Sequence, residues 1–220
     1  MARHAHPPPY STIAFDCDST LSAIEGIEEL AGESRGEIAR ITERAMNGEI
    51  ALEAVYAARL SLVRPDLGQV AALGERYVAT LLPNAGTLVA ALRALEKRVC
   101  IVSGGLEAPV LALAAALGIE AHDVFAVPVF HDRSGAYAGF EESSPLARSG
   151  GKRVLAERLA REDAGLGLAF VGDGVTDMEA RPFAARCIAF GGVVRREAAF
   201  AAADLGCTQR DLAALLPLLC

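Results

Sequence analysis

The chain has 220 residues, 52% of them hydrophobic and 22% charged, with a formal net charge of −7. At this size about 70% of the unfolded surface can be buried, so a core forms without disulfide or metal staples and a disordered chain is excluded. The acidic balance, with Arg195-Arg196 as its one basic doublet in a charged context, excludes a nucleic-acid partner. No apolar run approaches the roughly 18 residues of a membrane span, so no membrane partner is expected. Five cysteines (17, 100, 187, 207 and 220) form no CxxC and no disulfide framework, which points to a reducing cytoplasm.

In chain order, Met1–Tyr10 lacks the apolar stretch of a signal peptide and contains Pro7-Pro8-Pro9, so an extended tail is expected. Ser11–Phe15 is short, apolar and rich in strand formers, and it stops at Asp16. Residues 21–82 carry no strand pattern. They read as helices over Glu25–Ala31, Gly36–Met46, Leu52–Leu60 and Leu67–Thr80, broken at Arg64-Pro65-Asp66. A small helical cap inserted after the first strand is the expectation. A helix over Gly86–Lys97 follows, then a strand over Val99–Val102 that stops at Ser103-Gly104-Gly105, then a helix over Leu106–Leu117.

Val124–Phe140 holds two alternating runs around Asp132-Arg133-Ser134-Gly135, a hairpin signal. Beyond it come a helix over Lys152–Arg161 and strands over Leu168–Val171 and Cys187–Phe190. Further helices are expected over Arg195–Ala203 and Asp211–Leu219. Strands apolar throughout are buried on both faces, as in a parallel sheet. The fold class is therefore α/β: a doubly wound, mostly parallel sheet with a helical cap and a β-hairpin. The expected division is a tail (1–10), a catalytic core (11–20 and 83–220) and a cap (21–82).

The polar residues that close the strands all fall at their C-terminal ends, the edge where open α/β sheets bind ligands. Asp16-Cys17-Asp18-Ser19-Thr20 ends a buried strand on two carboxylates. Such groups are paired, hydrogen-bonded or metal-bound; the plain alternative is a helix cap by Asp18, Ser19 or Thr20. Gly172-Asp173-Gly174-Val175-Thr176-Asp177 sets two more acids at another strand end. These could build an all-oxygen Mg²⁺ site with Asp16, or Thr176 and Asp177 could cap a helix over Met178–Ala180. Ser103-Gly104-Gly105 offers a hydroxyl and bare N–H groups to a phosphate, and Ser149-Gly150-Gly151-Lys152 offers a cation. No GxxxxGK[ST] loop occurs. His122 and His131 read as surface residues, and Tyr137 and Phe140 as hairpin packing.

In this order, Asp16–Thr20, Ser103, Lys152 and the Gly172–Asp177 segment resemble the four motifs of the haloacid-dehalogenase-like phosphatase superfamily. Glu25–Ala31, Arg44-Ala45-Met46, Arg59-Leu60 and Gly135–Phe140 are similar to its phosphoserine-hydrolysing branch, and the likeness spans about Ser11 to Arg196. Two departures stand out. Leu52 lies where that branch often has an aromatic residue, and Pro83-Asn84-Ala85-Gly86 is one step longer than the usual turn. The resemblance implies Asp16 as nucleophile and Asp18 as general acid and base. It implies Mg²⁺ on Asp16, the Asp18 carbonyl and Asp173, and phosphoryl contacts from Ser103, Gly104 and Lys152. Asp177 would support, Thr176 would touch substrate, and Glu25 and Arg59 would read an amino-acid head group. The expected partner is a small phosphate monoester, and the expected assembly a monomer or homodimer. Two other readings are another small phosphate monoester, or transfer of the phosphoryl group to an alcohol. A non-catalytic sensor would show a broken catalytic set, which Asp16, Asp18, Ser103, Lys152 and Asp173 do not.

Overall fold

The computed structural model describes residues 10–32, 35–46, 49, 52–163 and 167–220. The expected tail up to residue 9, with His4 and His6, lies outside the described residues, as do the side chains of Met46 and Leu52. Tyr10, assigned by sequence to the tail, is buried, and its hydroxyl accepts from Arg186 Nε at 2.9 Å.

Six parallel strands form the main sheet in the order β3-β2-β1-β6-β7-β8. β1 (Thr12–Phe15) is central, paired with β2 (Arg98–Leu106) and β6 (Leu168–Gly172). Its run is apolar throughout because both faces are covered. Ile13 and Phe15 pack on one side with Val99, Ile101, Ala169 and Val171. Ala14 packs on the other with Cys100, Val102, Leu168 and Phe170. This is the strand period of two with both halves buried.

Between β1 and β2 come α1 (Gly26–Leu30), α2 (Arg35–Met46), α3 (Leu52–Val63), α4 (Leu67–Ala79) and α5 (Ala85–Ala94). The expected break between α3 and α4 is present: Arg64 has φ +42°, and Asp66 caps α4 reciprocally with Gln69. α4 sends Leu73 and Tyr77 into the first core cluster, whereas Ile27 of α1, Ile38 of α2 and Tyr56 and Leu60 of α3 join the second. α6 (Glu107–Leu117) follows β2. After β3 (Val124–Val127) come β4 (Val129–His131), β5 (Tyr137–Phe140) and α7 (Gly151–Glu162). After β6 come α8 (Val175–Met178), β7 (Arg186–Phe190), α9 (Glu197–Ala202), β8 (Leu205–Cys207) and α10 (Leu216–Leu219).

Four sequence expectations are corrected. β2 continues through Ser103-Gly104-Gly105 to Leu106. Val124–Val127 is not a hairpin arm but an edge strand parallel to β2, and the hairpin is β4 with β5 alone. Pro128, which has no N–H to extend a ladder, separates the two. The first helix after Gly174 spans Val175–Met178, so Thr176 and Asp177 lie inside its turn. Asp211–Leu219 is a 3₁₀ turn (Leu212–Leu215) followed by α10, because Pro217 cannot sit in a helix interior.

Candidate active site

The C-terminal edge of the sheet gathers the acids. Asp16 follows β1 and is buried, with its N–H donating to Val171 O at 2.9 Å. Its Oδ1 accepts from Cys17 N at 2.8 Å and its Oδ2 lies 2.9 Å from Lys152 Nζ. Lys152 enters from the first turn of α7. Gly151 makes this approach possible, since a Cβ there would stand 2.0 Å from Pro145 O.

Lys152 also donates to Asp177 Oδ1, and Asp177 Oδ2 accepts from Gly174 N at 2.9 Å. A Cβ on Gly172 would lie 2.0 Å from Asp177 Cγ, so the glycine leaves room for that carboxylate. Burial opposes the Lys152 charge, but Asp16 and Asp177 outweigh it and hold the ammonium above its ordinary value. Burial pushes Asp177 up to about 7, with Lys152 opposing.

Asp18 lies two positions beyond Asp16. Tyr77 Oη donates to its Oδ1, and Gly26 N donates to Oδ2 at 3.3 Å. Burial first, then the Glu25 charge, pushes its carboxyl well above the usual range, against the Tyr77 hydrogen bond. Such a group keeps its proton to higher pH, as an acid catalyst requires. Glu25 Oε1 accepts from Ser19 Oγ at 2.7 Å; burial raises Glu25, and Arg196 opposes the rise.

The roof comes from the insertion. Arg59 on α3 is buried and donates from Nη1 to Thr42 Oγ1 at 2.9 Å. Arg196, between β7 and α9, is also buried. It pairs with Asp173 and reaches Glu25 and Glu43 at 3.4 Å each. It thus ties the core acid Asp173 to the roof acids.

Asp16, Asp18, Glu25, Arg59, Ser103, Gly104, Lys152 and Thr176 line one cavity. Asp173 and Asp177 are buried close by, their carboxylate oxygens within 4.8 Å of each other and of Asp16. Every site residue expected from the sequence is therefore at this cavity or against it. Ser103 Oγ accepts from Gly105 N at 2.9 Å. Thr176 lines the wall, and Asp177 does act as a helix cap, its carboxylate accepting from the N-cap Gly174 N–H of α8. His122 is exposed, and His131 Nε2 sits 3.1 Å from Pro65 O, both away from the cavity.

Sequence reasoning missed Tyr56, Tyr77 and Arg196. Arg196 follows a strand end and a Gly-Gly pair, but it stands in a doublet with Arg195, and their order does not say which of the two turns inward. The tyrosines carried no signal beyond a helical spacing.

The donor set suits a hard divalent cation. Asp16, Asp173 and Asp177 bring only oxygen and are all buried. Acidic side chains outnumber basic ones there, with Asp16, Asp18, Glu25, Asp173 and Asp177 facing Lys152, Arg59 and Arg196.

This sheet order, the aspartate after the central strand and the buried lysine define a class. The chain belongs to the haloacid dehalogenase-like hydrolases, whose family model matches residues 13–180. Within that class it is similar to phosphoserine phosphatases. The chloroplastic protein of Arabidopsis thaliana is 39% identical over 197 residues, 87% of this chain and 66% of the plant protein. The Homo sapiens protein is 38% identical over 187 residues, 84% of this chain and 83% of the human one. The chain thus spans just under two thirds of the plant relative and most of the human one. A solved phospho-aspartyl intermediate analogue of phosphoserine phosphatase matches with a TM-score of 0.82 at 28% identity, covering 96% of this chain and 99% of that one. No helix among the described residues is long and apolar enough to cross a membrane.

Proposed function

We propose that the protein is a phosphoserine phosphatase, hydrolysing O-phosphoserine to serine and phosphate through an aspartyl phosphate. The observation that carries the reading is the pairing of two ends in one cavity. A nucleophile, acid and lysine (Asp16, Asp18, Lys152) form the floor, and an anion and a cation (Glu25, Arg59) form the roof. The relatives named above support it.

Asp16 attacks phosphorus as the bond to the serine oxygen breaks, and Asp18 gives that oxygen its proton. In the second step Asp18 takes a proton from the water that attacks the phosphoaspartate. Phosphate leaves, and both carboxyls return to their starting states. Lys152, Ser103 and the Gly104 N–H hold the phosphoryl oxygens, where preorganised donors act most strongly. Asp177 fixes Lys152. Arg59 takes the substrate carboxylate as a fork, and Glu25 accepts from its ammonium. Mg²⁺, held by Asp16, the Asp18 carbonyl and Asp173, would neutralise charge between the nucleophile and the phosphate.

Residues 21–82 act as the cap over the core formed by 11–20 and 83–220, and their closure excludes water from the first step. One chain supplies the whole cavity lining, so a monomer or a homodimer carries complete sites. The five free cysteines, four of them buried, fit a reducing cytoplasm.

Phosphate release from about twenty phosphate monoesters, with and without Mg²⁺, tests the reading. O-phosphoserine should show the highest kcat/KM. A different best ester, or transfer to an alcohol in preference to water, overturns it.

A further inference from the structure

Tyr56 and Arg59 stand three residues apart on α3, so they share one helix face, and both line the cavity. The Arg59 guanidinium lies 5.5 Å from the centre of the Tyr56 ring. The ring also meets Phe140 of the hairpin, centroids 5.3 Å apart at 57°. The ring is therefore held between the roof helix and the hairpin, and the residue is 1% exposed.

Its hydroxyl has no hydrogen-bond partner among the described residues, and neither has Arg59 Nε. Buried polar atoms are almost always partnered, so an orphan calls for an explanation. Here two orphans lie on one face of one helix, both in groups that line the cavity. Arg59 Nε is a donor only. Burial first, with Asp18 adding and Arg59 opposing, holds the phenol well above its ordinary value, so it also offers a proton. Two adjacent donors complement a group that only accepts, which a carboxylate is and an ammonium is not.

We infer that Tyr56 is a further substrate-binding residue: its hydroxyl donates to the substrate carboxylate beside Arg59. The inference rests on the substrate reading above and adds to it a second reader of the same group. The phosphate is served by Lys152 and Ser103 on the floor, and the ammonium by Glu25. Among the described residues nothing uses the hydroxyl, so its contribution belongs to the bound state.

The test compares wild type with Tyr56→Phe, a near-isosteric change, on O-phosphoserine and on phosphoethanolamine, which lacks the carboxylate. Melting temperatures are taken alongside. For O-phosphoserine, kcat/KM should fall about 10-fold, chiefly through KM, the scale of one hydrogen bond to a charged group. Phosphoethanolamine should change less than about twofold, and the melting temperature should hold or rise. Equal losses on both substrates, no loss on O-phosphoserine, or a clear drop in melting temperature would each overturn the role given to Tyr56. A wild-type protein with no preference for the carboxylate-bearing ester would overturn the substrate reading itself, and this inference with it. A preference that survives Tyr56→Phe unchanged would remove Tyr56 alone.

Discussion

Replacing Lys152 with Met should destabilise the fold in a pH-dependent way. Met keeps the unbranched stem, so packing is nearly preserved and the charge alone is removed. Lys152 is buried at 7% exposure, 2.9 Å from Asp16 Oδ2 and bonded to Asp177. Deleting one partner of a buried pair leaves uncompensated charge, at a cost of about 3–5 kcal/mol. For a chain of this size that is a fall of about 6–20 °C in melting temperature.

The sign with pH follows from the two partners. The Lys152 pKa is raised in the fold, so its contribution is complete below the unfolded lysine value. It is lost only as pH rises through the folded value, and it stays constant near neutrality. Asp177, pushed up to about 7 chiefly by burial, loses the lysine that opposed the shift, so in the variant it rises further. A carboxyl raised in the fold destabilises increasingly as pH climbs from its unfolded to its folded value. The deficit should therefore already be present near pH 5, where the lysine contribution is whole, and widen as pH passes about 7. Thermal melts in chelator, from about pH 5 to pH 8, read this directly. A deficit that stays flat across that range, or below about 1 kcal/mol at its top, would refute the buried counter-ion argument.

Four further outcomes are expected. Asp16→Asn should fold and yet lose at least about 10³-fold in turnover, because an amide cannot act as the nucleophile; wild-type phosphate release from a folded sample would rule out the phosphoaspartate. Chelator should abolish turnover and Mg²⁺ restore it, whereas Ca²⁺, which prefers more oxygens at longer range, should inhibit; full activity in excess chelator would dismiss the metal. Arg59→Ala should cut kcat/KM for O-phosphoserine about 10- to 200-fold and spare phosphoethanolamine, while Glu25→Gln should spare phosphoglycerate; uniform losses across the three would remove the head-group assignment. Gly172→Ala places a Cβ 2.0 Å from Asp177 Cγ, so stability should drop by about 1–3 kcal/mol and activity with it, and an unchanged melting curve would contradict the close approach.

The parts of the fold that could be read from sequence share one physical cause. Thr12–Phe15, Leu168–Gly172 and Arg186–Phe190 are nearly or wholly apolar because helices cover both sheet faces, and their ends are marked by acids or glycines. Leu205–Cys207 escaped because three residues with a central Gly give no periodicity. Val124–Val127 reads as a hairpin arm because alternation fits a hairpin and an edge strand of the main sheet equally well. The site followed the same division. Residues fixed by backbone motifs at strand ends were visible. Arg196 was not, because it sits in a doublet whose other member, Arg195, is exposed and paired with Glu197. Nothing in the order of two arginines says which one turns inward. Tyr56 and Tyr77 are core positions, and only the surroundings of their hydroxyls, set by other elements, separate them from phenylalanine.

Arg196 also shows how the site keeps three carboxylates apart in role. Asp173, Glu25 and Glu43 come from the core, the segment before α1 and α2, and one guanidinium touches all three. That contact offsets repulsion between Asp173 and the acids Glu25 and Glu43. Lys152 does the same for Asp16 and Asp177 on the floor. Asp18 is paired with neither cation and is held by neutral donors, the Tyr77 hydroxyl and the Gly26 N–H. Burial first, then the Glu25 charge, holds its carboxyl well above the usual range against those two hydrogen bonds, so it keeps its proton to higher pH. On the function proposed above, the acid–base role falls to Asp18 and the nucleophilic role to Asp16, two positions away on the same loop, with Lys152 paired to Asp16 and neutral donors on Asp18.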